Sequence, residues 1–144
     1  MQARSLFVLA AALLVPAAAH AADWKTVTDK AGKCQAQAPA DWTPGEFGLG
    51  MRAPSGDSTL AIFGANDSVA FDKQVAQSTF TVETTLEDTP ARYEITLADR
   101  AGKPDKHIYV AVPRPGGSCA LTVDWDSGLS DADAQAIAAS LKPR

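Results

Sequence analysis

The chain has 144 residues, 46% of them hydrophobic and 21% charged, with 13 Lys and Arg against 17 Asp and Glu for a net charge of −4. That length holds one domain with a single sizeable core. The basic residues are scattered with no dense run, which excludes a nucleic-acid partner, because phosphate binding needs concentrated positive charge.

Met1 to Arg4 carries one positive charge, Ser5 to Val15 is an apolar run broken by Pro16, and Ala19-His20-Ala21 fits a small-x-small cleavage pattern. The run is shorter than the roughly 20 residues a spanning helix needs. Residues 1–21 are therefore expected to be a cleaved secretion signal and 22–144 a single exported domain, periplasmic or secreted, with no stable membrane span. No Cys follows the cleavage site, so a lipid anchor there is not expected.

Trp24 to Thr28 reads as a short strand with Trp24, Thr26 and Thr28 on one face, followed by the turn signal Asp29-Lys30-Ala31-Gly32. Cys34, Ala36 and Ala38 alternate with Gln35 and Gln37, the pattern of a half-buried strand that Pro39 ends. Asp41-Trp42-Thr43-Pro44-Gly45 is a loop carrying an aromatic anchor. Leu49 to Ala53 is extended, Pro54-Ser55-Gly56-Asp57 turns the chain, and Thr59 to Gly64 is a further strand. Asn66-Asp67-Ser68 caps a helix over about 69–78, since short polar side chains accept the free N–H groups there. Phe71, Val75 and Ser78 are expected to share one face of it, with Asp72, Lys73 and Gln77 more exposed. From Thr79 to Asp88 the sequence is ambiguous between strand and loop, and its Thr content with Val82 favours strand.

The rest of the chain reads more sharply. Tyr93, Ile95 and Leu97, then Ile108, Val110 and Val112, then Cys119, Leu121, Val123 and Trp125 each alternate with their neighbours. Turn signals at 99–104 and 113–117 separate these segments, giving an antiparallel three-strand meander with one apolar face. Ser130 caps a last helix with Asp133 three residues on, and Ala134, Ile137, Ala138 and Leu141 form its buried stripe until Pro143. The helix and the half-apolar sheet need each other, so the helix should lie across the sheet.

A strand leading into Ala38-Pro39-Ala40-Asp41-Trp42, a strand pair and helix, the meander, and a closing helix ending Ala139-Ser140-Leu141-Lys142-Pro143 together resemble the Mog1/PsbP-like fold, including the DcrB-type bacterial periplasmic proteins. The resemblance covers nearly all of 22–144. It implies an α+β sandwich, a mainly antiparallel sheet with helices packed on it, and an accessory or binding role. It carries no catalytic motif.

The chemistry-bearing residues are few. Cys34 and Cys119 form an even pair in an exported chain, which predicts a disulfide. Such a long loop closure stabilises by about 4–5 kcal/mol in the chain-entropy model. His107 is the one histidine after the signal, which excludes multi-histidine metal sites and leaves one conceivable Ser–His–Asp arrangement. At Gly116-Gly117-Ser118-Cys119, a turn followed by half of a disulfide outweighs a nucleophile. Asp124, Asp126, Asp131 and Asp133 resemble the start of a calcium loop but lack its closing Glu, and acids at a helix N-terminus explain them as well. No metal and no cofactor is expected. Among Trp24, Trp42 and Trp125, Trp42 in its Pro/Gly loop is the candidate ligand or partner surface. The expected function is a non-enzymatic accessory protein binding a protein or small ligand. The alternatives are a secreted inhibitor or immunity-type protein, or a hydrolase using carboxylates such as Glu83, Glu87 and Asp88.

Overall fold

The computed structural model describes residues 23–45, 50–98 and 106–144. The expected signal at 1–21 and the turn expected over 99–104 lie outside these residues, as does Leu49. In chain order the elements are β1 (Trp24–Thr28), β2 (Cys34–Pro39), β3 (Thr43–Pro44), β4 (Met51–Arg52), β5 (Thr59–Ala65), α1 (Val69–Thr79), β6 (Val82–Thr89), β7 (Arg92–Leu97), β8 (Lys106–Arg114), β9 (Gly117–Trp125), α2 (Asp131–Ala139) and β10 (Lys142–Pro143). Two antiparallel sheets result, a small one ordered β1-β2-β10 and a seven-stranded one ordered β3-β4-β5-β9-β8-β7-β6. The segment left between strand and loop is β6, paired along β7 with two register shifts.

The large sheet is covered on both faces, which corrects the expectation of one apolar face. On one face Ile108, Val110, Leu121, Val123 and Trp125 meet Cys34, Ala36 and Ala38 of the small sheet and Ala134, Ile137 and Ala138 of α2. On the other, Tyr93, Ile95, Leu97, Tyr109, Ala111 and Ala120 pack beneath Val69 and Ala76 of α1. The reason lies in the register. Tyr93 stands opposite Ala111 and Ile95 opposite Tyr109, so the apolar residues of β7 share a face with the residues between Ile108, Val110 and Val112.

Ser68 caps α1 by accepting from the Phe71 N–H, and Ser130 caps α2 by accepting from the Asp133 N–H at 3.0 Å. The buried face of α2 is the expected one. That of α1 is not. Val69, Asp72 and Ala76 face the sheet, while Phe71 and Val75 stand 48% and 44% exposed. Pro143 does not merely follow a helix. Lys142–Pro143 pairs with Gln35 and Cys34, so β10 and β1 flank β2.

Candidate functional site

On the α1 side an open cleft of about 460 Å³ lies between the first turns of α1, the β6–β7 turn and the β8–β9 turn. Val69, Ala70, Pro90 and Pro113 give it apolar walls, Ser68 and Thr89 stand at its rim, and Tyr93 lines it from the sheet. Each part follows from local sequence. Thr89-Pro90 closes the hairpin whose second strand carries Tyr93 inward, and Ser68 starts the helix where the chain leaves β5. Gly117 lies at the far end, where a side chain is barred because a Cβ would stand 2.0 Å from the Ala65 carbonyl oxygen.

The electrostatics of the cleft centre on Lys73. Its ammonium donates to an Asp88 carboxylate oxygen at 2.5 Å and stands 5.6 Å from the centre of the Tyr93 ring. Behind it, beneath α1, lie Asp72, Tyr109 and Ser118, all buried. Burial pushes the Asp72 carboxyl above its ordinary pKa and the Asp67 charge adds to this, while the Ser118 hydroxyl opposes it. Burial raises the Tyr93 phenol as well, against the pull of Gln77 and Lys73, and it holds the Tyr109 phenol far above its usual range. Both phenols are thus neutral donors at ordinary pH, and Asp72 is a carboxyl held where charge is disfavoured.

The other sequence candidates fall elsewhere. Cys34 and Cys119 are joined by a disulfide, with Cα atoms 5.6 Å apart, tying the small sheet to β9. Trp42 is only 4% exposed and belongs to the core between the sheets, so it is a packing anchor in place of the ligand surface expected of it. Its Pro/Gly loop folds back through a hydrogen bond from the Trp42 N–H to the Pro39 carbonyl, which carries the ring inward. His107 pairs with Asp124 across β8 and β9, Nδ1 to Oδ1 at 2.6 Å. Its Nε2 is buried without a partner, so the Asp–His pair presents no accessible base. Ser118 is wholly buried beneath α1. The four acids of the strand-to-helix connection separate. Asp124 holds His107, Asp126 accepts from the Gly128 N–H, Asp131 binds Lys106 and Trp125, and Asp133 meets Ser130. Among the described residues no three His, Cys, Asp or Glu side chains are gathered for a metal. Glu83, Glu87 and Asp88 likewise serve different partners, Thr96, Arg92 and Lys73.

Sequence reasoning missed Tyr93, Lys73 and Asp88 as a unit. Lys73 and Asp88 are 15 positions apart and meet only because β6 returns beside α1. The one local signal was the Thr-Pro turn immediately before a strand with an inward tyrosine.

No protein-family model matches the sequence, and no curated protein matches it. Among solved structures, the solution structure of cyanobacterial PsbP (CyanoP) from Synechocystis is similar, with a TM-score of 0.56 and 11% identity over 92% of this chain and 99% of that one. The fold is Mog1/PsbP-like, an α+β arrangement of mainly antiparallel sheet with two helices.

Proposed function

We propose that this protein is an exported, non-enzymatic accessory protein that holds a ligand in the cleft beneath α1. The observation that carries this reading is the cleft itself, open at the surface, apolar in its walls and floored by an aromatic ring. Three further facts favour binding over chemistry. The cysteines are bonded to each other, the His107 Nε2 is shut inside, and the acids of β6 are drawn to separate partners. Export is supported by the charged, apolar and small-x-small sequence of 1–21 and by a disulfide, which persists in oxidising compartments.

The test is residue-resolved NMR of the isotope-labelled protein, recovered from a periplasmic extract, against the small-molecule fraction of that extract. The recovered chain is expected to begin at Ala22, and shifts are expected to cluster at Val69, Ala70, Lys73, Tyr93 and Gly117. Shifts confined to another surface would refute the cleft. Turnover of a substrate that is abolished by replacing one carboxylate would refute the non-enzymatic reading.

A further inference from the structure

We propose that the α1 cleft is a seat for a small primary alkylammonium, whose positive head takes the place held by the Lys73 ammonium. This rests on the reading of the cleft as the binding site and names the ligand chemistry.

Lys73 shows what the seat accepts. A carboxylate on one side and the face of a phenol ring on the other are the two groups that recognise an ammonium, one by charge and the other by the ring quadrupole. Here Asp88 and Tyr93 supply both to one nitrogen. The Lys73 side chain is one-third exposed and hangs on a flexible stem, so it is a displaceable occupant and not a buried structural ion. Tyr93 is 1% exposed and fixed in the sheet, so the aromatic half of the seat stays in place when the lysine swings out.

The surrounding charge favours the same sign of ligand. Asp88 lines the cleft and Asp67 adjoins its lining residue Ser68, against the single ammonium of Lys73. Arg114, on the strand whose Pro113 lines the cleft, spends its guanidinium on the carbonyls of Ala65, Pro115 and Ser118 and on the Asn66 amide oxygen. An anion entering the cleft would meet Asp88 and find its one ammonium already engaged. A cation meets an excess of carboxylate once Lys73 withdraws. The walls of Val69, Ala70, Pro90 and Pro113 match an aliphatic stem, and the cleft volume leaves room for a chain of a few carbons.

Three four-carbon probes separate the contributions: n-butylammonium, butyrate and n-butanol, titrated at constant ionic strength and followed by amide shifts of the purified protein. Butylammonium is expected to move Val69, Ala70, Tyr93 and Gly117 saturably, with butyrate inert. Lys73→Met keeps the stem and removes the competing charge, so it should tighten butylammonium binding by roughly tenfold, the worth of one surface ion pair plus one cation–π contact. Asp88→Asn should weaken it by a similar roughly tenfold factor. Cleft shifts from butyrate or butanol, with no gain for butylammonium in Lys73→Met, would overturn the cation and leave the cleft standing. No cleft shift from any probe in either the parent or Lys73→Met would overturn both.

Discussion

Asp29 and Asp72 are both buried, yet they bind the fold to pH in opposite senses. Asp29 closes the β1–β2 turn. Its carboxylate accepts from the N–H groups of Lys33 at 2.7 Å, Cys34 at 2.8 Å and Ala31 at 3.2 Å. Burial alone would raise its pKa, but these bonds and the Arg114 charge outweigh it and hold the pKa below 3.8. A lowered folded-state pKa gives stability that is present above the unfolded value and lost as pH falls through the folded one. Asp72 has its pKa raised by burial, so the stability linked to it is full below the unfolded value and lost as pH rises through the folded one. Two substitutions separate the two residues. Asp72→Asn should stabilise at neutral pH by roughly 1 kcal/mol, because it removes a carboxyl whose ionisation burial disfavours. That gain should vanish in acid. Asp29→Ala should cost about 2–3 kcal/mol at neutral pH through three N–H groups left without an acceptor, and its cost should shrink in acid. Urea denaturation at pH 7 and pH 3 reads both, and equal effects at the two pH values would contradict the assignment.

At the scale of elements, α1 decides how far the sequence was readable. Its apolar residues Phe71 and Val75 lie outside, and the face turned to the sheet carries Val69, Asp72 and Ala76. Ala76→Leu, at a position 1% exposed, should therefore destabilise by about 1–3 kcal/mol through overpacking. Phe71→Ser should change stability by no more than about 0.5 kcal/mol, as surface substitutions do. A loss at Phe71 of the size of a core truncation, about 3 kcal/mol or more, would place the helix the other way round. The strands of the meander were legible because period-2 alternation over six to nine residues leaves little choice. Which face each apolar set takes was not, because that depends on how β7 registers against β8. β3, β4 and β10 have two residues each and so no period to read. α1 misleads because a valine, one alanine and a carboxyl fill its buried stripe, where hydrophobicity points to the bulkier flank. The cleft was illegible for a related reason, since its ring, ammonium and carboxylate come from three elements.

Across the whole molecule, the layers are α1, the large sheet, and a third layer shared by α2 and the small sheet, with the disulfide joining the third layer to the second. The bond spans 85 residues. Replacing both Cys34 and Cys119 by alanine should lower the unfolding free energy by about 4–5 kcal/mol, a large part of the roughly 5–15 kcal/mol available to a domain. Guanidinium denaturation of parent and double variant measures it, and coincident curves would show that the bond contributes nothing. The α1 layer is held by the smaller cluster and gains no direct tie from the bond. On the opposite face Arg92 of β7 ties the large sheet to α2, donating from Nη2 to the Ala138 carbonyl at the end of that helix while its Nε donates to Glu94.

The position of β2 between β1 and β10 imposes an order in time. A chain delivered amino end first has β1 and β2 in hand early, but the second edge of β2 is met by Ser140 and Lys142–Pro143, which follow far later in the chain. Cys34 has no partner thiol until Cys119 arrives, and β2 offers an unpaired edge until β10 does, the kind of surface on which other chains nucleate. The duration of that exposure is set by the speed of delivery and not by the intrinsic rate at which the sheet zips. Slow delivery is therefore expected to promote aggregation, and a truncation that removes β10 to prolong the exposure.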